Sequence, residues 1–380
     1  MQIIDEEGTL LGIVNVFDAL VVLVVLSVVV AGVALAGPLS SAPDDEDEPP
    51  AEEAVRYVSF DLGQLPAFVA EDISEDEVLA SSEFGGDLTV TDVYVGPTSG
   101  GNVSVTVRAE VEGVLADGED DQFEFDGQPV DEDERLTMDG TNHELHGTVV
   151  SVDEEGETLG VEETEVAVRS TVSADTANRL EAGDTYTLAG HEVATLETVE
   201  VYSTANAAEK RIVAGLTLET KGEEEILDFG VLPVTTDTTV DFETDGYSFS
   251  GTIIESGTLD PPGDRTTTST VVKLEHVAPE TADEIRVGME DRVGETATVR
   301  VVDKQTEPAS VVREDEEGVL RQHEHPRDVD ISLTVELLTY ETAACIELGT
   351  ECLRIGDELT MDFRTIVVEG TVVEIEDDDA

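Results

Sequence analysis

Two histidines separated by one residue, His323 and His325 in "RQHEHPRD", come closest to a metal-binding phrase in this chain. On an extended backbone they face the same way, and Glu324, Glu317 and Asp328 lie nearby, so the ligand types for zinc or copper are present. The competing reading is an ordinary polar loop ended by proline. It is the one adopted, and no metal or other cofactor is expected. In "HELH", His143 and His146 stand three apart, which on a strand puts them on opposite faces; they read as solvated strand residues. Cys345 and Cys352, the only cysteines, frame "CIELGTEC". If Leu348 and Gly349 form a hairpin tip, the sulfurs come from opposed positions on neighbouring strands and can join; free thiols are the alternative. Neither phosphate-cradling glycine motif occurs, and "GYSFSG" has Ser250 where a nucleophile elbow needs glycine. No catalytic residue emerges, and the chain is expected not to be an enzyme.

Composition narrows the partners. Of 380 residues, 89 are acidic and 19 basic, a formal net charge of -70, and the lysines are only Lys210, Lys221, Lys273 and Lys304. Nucleic acid is excluded, because it is bound by neutralising phosphates with Lys and Arg. The acids could chelate calcium, or could keep the protein soluble in molar salt, where the Debye length shrinks to about 3 Å. Their even spread and the lack of a D-x-[DN]-x-[DN]-G loop favour salt. Scarce lysine, no tryptophan and many small apolar residues fit a halophilic archaeon.

The elements that would position such residues begin with an apolar run, Ala19 to Ala36, of about 18 residues, long enough to cross a bilayer as a helix. The expected order is a short acidic tail (1–18), a transmembrane helix (19–37) that makes the membrane a partner, and an acidic proline-rich linker (38–54). A cleaved signal peptide is the rival, but no Lys or Arg occurs before Arg56. An extracytoplasmic location is expected, with Asn102 in "GGNVSV" as a glycosylation sequon. "IIDEEGTLLGIVNVFDALVVLVV", with Asp5, Gly8, Gly12, Asn15 and Asp18, resembles the opening of the domain of unknown function 4330 family. The resemblance implies a single-span archaeal or cyanobacterial membrane protein and brings no activity with it.

The rest of the chain repeats itself. "HELHGTVVSV", "YSFSGTIIES" and "IVVEGTVVEI" place Gly147, Gly251 and Gly370 about 104 and 119 residues apart, and Gly86, Gly190 and Gly294 give a second set of anchors. Period-two runs such as Val103, Val105, Val107, Ala109 and Val111 read as half-buried strands. Short helices are expected in "VSADTANRLEAGD", capped by Ser173 and ended by Gly183, and in "APETADEIRVG", with Pro279 in the first turn and Gly288 at the end. Glycine before Thr in a strand suggests a bulge or barrel corner. The expected fold is mainly β: one transmembrane helix, then three tandem bent-sheet or barrel-like domains, each with a short helix, at 55–158, 161–262 and 268–376, the last carrying an insertion near 306–328. That insertion gathers Arg313, Arg321, His323, His325 and Arg327. The expected function is a membrane-anchored scaffold or interaction module that meets a protein partner at the cell envelope. The alternatives are an adaptor subunit of a transport or secretion machine, and small-ligand or metal capture by the third copy.

Overall fold

Alternating valines in "NVSVTVRAEV" need one dry face, and the structure supplies it by rolling each copy into a small barrel. The computed structural model describes residues 9–10, 14–15, 52–81, 86–98, 100–116, 122–206, 208–223, 226–293, 296–314 and 320–376. Two units are distinguished, 1–50 and 51–380. In the first, β1 (Thr9–Leu10) pairs antiparallel with β2 (Val14–Asn15).

The second unit contains one design three times. Copy one is β3 (Glu52–Pro66), α1 (Ala67–Ala70), β4 (Val78–Ser81), β5 (Asp87–Pro97), β6 (Asn102–Leu115), β7 (Phe123–Phe125), β8 (Gln128–Pro129), β9 (Arg135–Asp139) and β10 (Glu144–Asp153). Copy two is β11 (Glu162–Ser173), α2 (Ala174–Ala177), β12 (Thr185–Leu188), β13 (His191–Ser203), β14 (Glu209–Glu223), β15 (Ile226–Phe229), β16 (Leu232–Pro233), β17 (Thr239–Glu243) and β18 (Ser248–Ser256). Copy three is β19 (Asp264–Val277), α3 (Pro279–Glu284), β20 (Glu290–Val293), β21 (Thr296–Glu314), β22 (Leu320–Glu341), β23 (Ile346–Leu348), β24 (Glu351–Cys352), β25 (Glu358–Asp362) and β26 (Val367–Glu376).

In copy one, β3 pairs with both β10 and β6, and the path β10-β9-β4-β5-β6 returns to it, so the strands close a ring. Closure removes the free edges that an open sheet would present. The β7–β8 hairpin projects from β6. Copies two and three follow the same circuit, β12-β13-β14-β11-β18-β17 and β20-β21-β22-β19-β26-β25, with no pairing between the end strands among the described residues. Each barrel has its own apolar core. Ile212, Ala214, Leu216 and Leu218 line the second, and Ile331, Leu333, Val335 and Leu337 line the third.

The repeated glycines have a packing cause. Gly147, Gly251 and Gly370 face inward, where a Cβ would lie 2.9 Å from the Met138 side chain, 2.9 Å from Val168 and 2.6 Å from Val272. A register shift follows closely in each case, at Val149/Ser151, Ala167/Val168 and Val271/Val272. Bulge and missing side chain together let the last strand bend across the first. The second anchors do not share a cause: Gly86 sits against the Phe125 ring, Gly190 is a turn residue with φ +83°, and Gly294 lies outside the described residues.

Three expectations need correction. The fold expected from the sequence includes a transmembrane helix, but no helix among the described residues is long and apolar enough to cross a membrane; residues 19–37 lie outside those described. The short helices are also shorter than their sequence signals. Ser173 caps α2 by accepting from Thr176 N at 3.1 Å, yet α2 stops at Ala177, because Gly183 N bonds instead to Leu196 O on β13 at 2.7 Å. Gly288 N reaches Val301 O and Asp76 N reaches Val90 O in the same way, so the left-handed residue belongs to a turn tied to the sheet. Finally, the insertion near 306–328 is not a loop: β21 and β22 extend past the barrel as a paired arm, with Ser310 opposite Glu324 and Glu314 opposite Leu320.

Candidate functional site: the joints between copies

Tandem barrels with separate cores need something to fix one on the next, and the short hairpins do it. In copy two, β15–β16 turns at Gly230 and Val231 and lays its tip on β5 of copy one. Gly230 has φ +66°, and a Cβ there would lie 2.2 Å from Pro97 O, so only glycine allows the approach. The Tyr94 hydroxyl accepts from Gly230 N at 2.8 Å and faces Glu219 O and Asp228 O, both at 3.3 Å, to which it can donate. Burial pushes the Tyr94 hydroxyl up to about 12. Lys221 Nζ crosses the joint to Thr106 Oγ1 at 3.1 Å, and burial holds its ammonium below the usual lysine range, partly offset by Asp61.

The second joint repeats this plan with different chemistry. The β23–β24 hairpin of copy three turns at Gly349 and Thr350, and Gly349 is buried against the Tyr202 ring of copy two. Counted from the bulge in each β5-type strand, Tyr202 stands where copy one has Gly96, and Glu200 stands where it has Tyr94. Glu200 accepts from Tyr202 Oη and Tyr340 Oη, each at 2.8 Å, with Arg265 at 3.3 Å. Burial, then the Glu200 charge, drives both phenols well above their ordinary range.

Beside it, Lys210 donates to Ser203 Oγ at 2.8 Å and to Asp362 Oδ2 at 2.9 Å, while Ser203 Oγ donates to Asp291 Oδ2 at 2.6 Å. Burial raises the Asp291 carboxyl. For Asp362 burial acts upward too, but the Lys210 and Arg364 contacts together hold it below the usual carboxylate range. A cleft of about 560 Å³ opens next to this cluster, lined by Arg179, Glu200, Asp260, Arg265 and Tyr340 among others.

The residues singled out by chemistry lie elsewhere. His325 Nδ1 accepts from Asp328 N at 2.8 Å and its ring meets His276 edge-on at 6.1 Å, so it pins the base of the arm. His276 completes that pin by reaching Ser310 O at 3.2 Å. Glu324 is exposed; His323 lies opposite Val311 in the ladder, and its side chain is outside the described residues. Among the described residues the one triad with ligand atoms close together is Cys345, Glu347 and Cys352. The two cysteines are joined as a disulfide with their Cα atoms 5.7 Å apart. Their geometry differs from strict opposition: Cys352 stands across from Glu347, and Cys345 precedes β23. His143 is in a turn, not a strand, with Nε2 3.1 Å from Asp72 Oδ2 and its ring edge-on to Phe68. Asn102 is exposed at the first position of β6.

Sequence reasoning passed over the joint residues. A signal was available in their rarity: Tyr94, Tyr202 and Tyr340 are half of the 6 tyrosines, and Lys210 and Lys221 are two of the few lysines. In a surface this acidic, a retained aromatic or ammonium group marks a place that is buried or paired.

Fold and joints define a class: a serial array of three small antiparallel barrel-like β-domains, the second and third each docked on its predecessor by a hairpin tip. The chain belongs to the family described as a domain of unknown function (DUF4330), whose model matches residues 1–153 and 258–376. Those stretches take in copies one and three, and most of copy two lies between them. No curated protein and no solved structure matches.

Proposed function

We propose that the chain is a non-enzymatic interaction scaffold that works outside the cytoplasm and presents the arm of its third barrel to a protein partner. The observation that carries this reading is the pair of equivalent joints. Two tips at equivalent positions dock on equivalent strands, so the barrels are held in series, as expected of a spacer or scaffold. The arm supports the choice of binding element. Copies one and two form their sheets without it, and it extends the β21–β22 ladder, a frame on which binding residues are held in register. The disulfide fits an oxidising compartment.

The test is affinity recovery of the full chain from cross-linked cells in molar KCl, compared with a chain lacking Glu307 to Arg327. The expected result is one set of envelope proteins recovered by the first and lost by the second, with the circular dichroism of both alike. Recovery of the same set by both chains would remove the arm from the proposal. Recovery of nothing specific by either would remove the scaffold.

A further inference from the structure

The three equivalent hairpins, of which those of copies two and three dock, are anchored in different ways. In copy one, Phe123 and Phe125 of β7 are both buried in the barrel core. In copy two, Phe229, the residue before the tip, is fully buried in the core. The residue before the tip in copy three is Leu348, only partly buried at the edge of its core, and Ile346 stands where copy one has Phe123. The hairpin's ladder to β22 consists of Tyr340 opposite Glu347 and Glu341 opposite Ile346. What copy three has in place of the aromatic anchor is the Cys345–Cys352 bond, which ties the start of this hairpin to its return strand.

This is also the hairpin that holds copies two and three together. Its tip, Gly349, is seated on Tyr202, and Glu351, next to Cys352, pairs with Arg211 of copy two at 2.9 Å. We infer that the Cys345–Cys352 disulfide is a redox lock on the second joint: oxidised, it holds the β23–β24 hairpin in shape to dock on Tyr202, and reduced, it releases that hairpin and loosens copy three from copy two. A dithiol reductant supplies the two electrons and two protons that convert the bond to two thiols, and is itself oxidised to a disulfide. The first joint has no cysteine, so the lock acts on one joint alone.

Because the chain has no other cysteine, reduction touches this bond and nothing else. The experiment is amide hydrogen exchange, read by mass spectrometry on the full chain in molar KCl, oxidised and after treatment with a dithiol reductant. Peptides covering Ile346 to Leu353, including the Leu353 N to Ile346 O bond, should exchange about tenfold faster or more when reduced, as should those around Tyr202. Peptides around Gly230 should not change.

Equal rates in both states would overturn the lock, as would a uniform rise across all three copies. A double variant, Cys345→Ser with Cys352→Ser, should match the reduced protein. Adding Leu348→Phe to it should restore part of the protection by supplying the aromatic anchor of the other copies; a triple variant as loose as the double would show that the anchor comparison is wrong.

Discussion

Tyr340 of the third barrel donates a 2.8 Å hydrogen bond to Glu200 of the second, across 140 residues of sequence. The same carboxylate receives Tyr202 from its own strand, so one buried acid couples two copies. Removing a hydrogen bond to a charged, buried group costs about 1.5–3 kcal/mol. Tyr340→Phe should therefore lower stability in chemical denaturation by that order, and exchange should rise around Tyr202 while copy one stays protected. An unchanged unfolding midpoint would mean that Glu200 is satisfied without it.

Gly230 and Gly127 are the tips of equivalent hairpins in different surroundings. Gly127 has φ +80°, and a Cβ added there would meet no atom within 4 Å, so Gly127→Ala should cost only the backbone strain, about 1 kcal/mol. Gly230→Ala adds a collision with Pro97 O, and overpacking of this kind costs roughly 1–3 kcal/mol more. Denaturation of the two variants side by side measures the joint; equal losses would show that the tip can retreat freely.

Acid should weaken copy one through Asp153. Its carboxyl is held below the usual range chiefly by the hydrogen bond from Arg108, at 2.7 Å, against a smaller upward effect of burial. A depressed acid stabilises the fold above its unfolded value, about 3.9, and that contribution is lost as pH falls through the folded value. The melting temperature of the wild type should fall more steeply below about pH 4 than that of Asp153→Asn. Parallel curves would discount the pair.

Salt should stabilise every copy. A net charge of -70 repels itself, and lowering ionic strength from 1 M to 0.1 M lengthens the Debye distance from about 3 Å to about 10 Å. Melting temperature should rise with KCl across that range, and a flat response would count against adaptation to molar salt.

The Gly-Thr strands are readable from the chain alone because period-two alternation records burial directly: Leu145, Gly147 and Val149 face the core, and Glu144 and His146 face water. The opening strands β3, β11 and β19 are harder to read. In "EETEVAVRSTVS" Val166, Ala167 and Val168 are buried in succession, and in "DRTTTSTVVKLEHV" two of the inward positions are the polar Thr268 and Thr270, yet these strands connect the two halves of each sheet.

The sequence by itself determined that there are three copies, that each is a β-structure bent at a glycine, and that the chain is strongly acidic, since alternation, glycine and charge act through neighbours a few residues away or through the whole molecule at once. Only the tertiary structure decided that Gly230 sits on Pro97, that Gly349 sits on Tyr202, and that Glu200 is shared between two barrels. Those contacts join positions far apart in the chain, 140 residues in the case of Glu200 and Tyr340, and a residue such as Tyr94 looks the same in sequence whether its hydroxyl meets water or a hairpin backbone. Burial across a joint depends on where the neighbouring barrel is placed, and no local pattern carries that information.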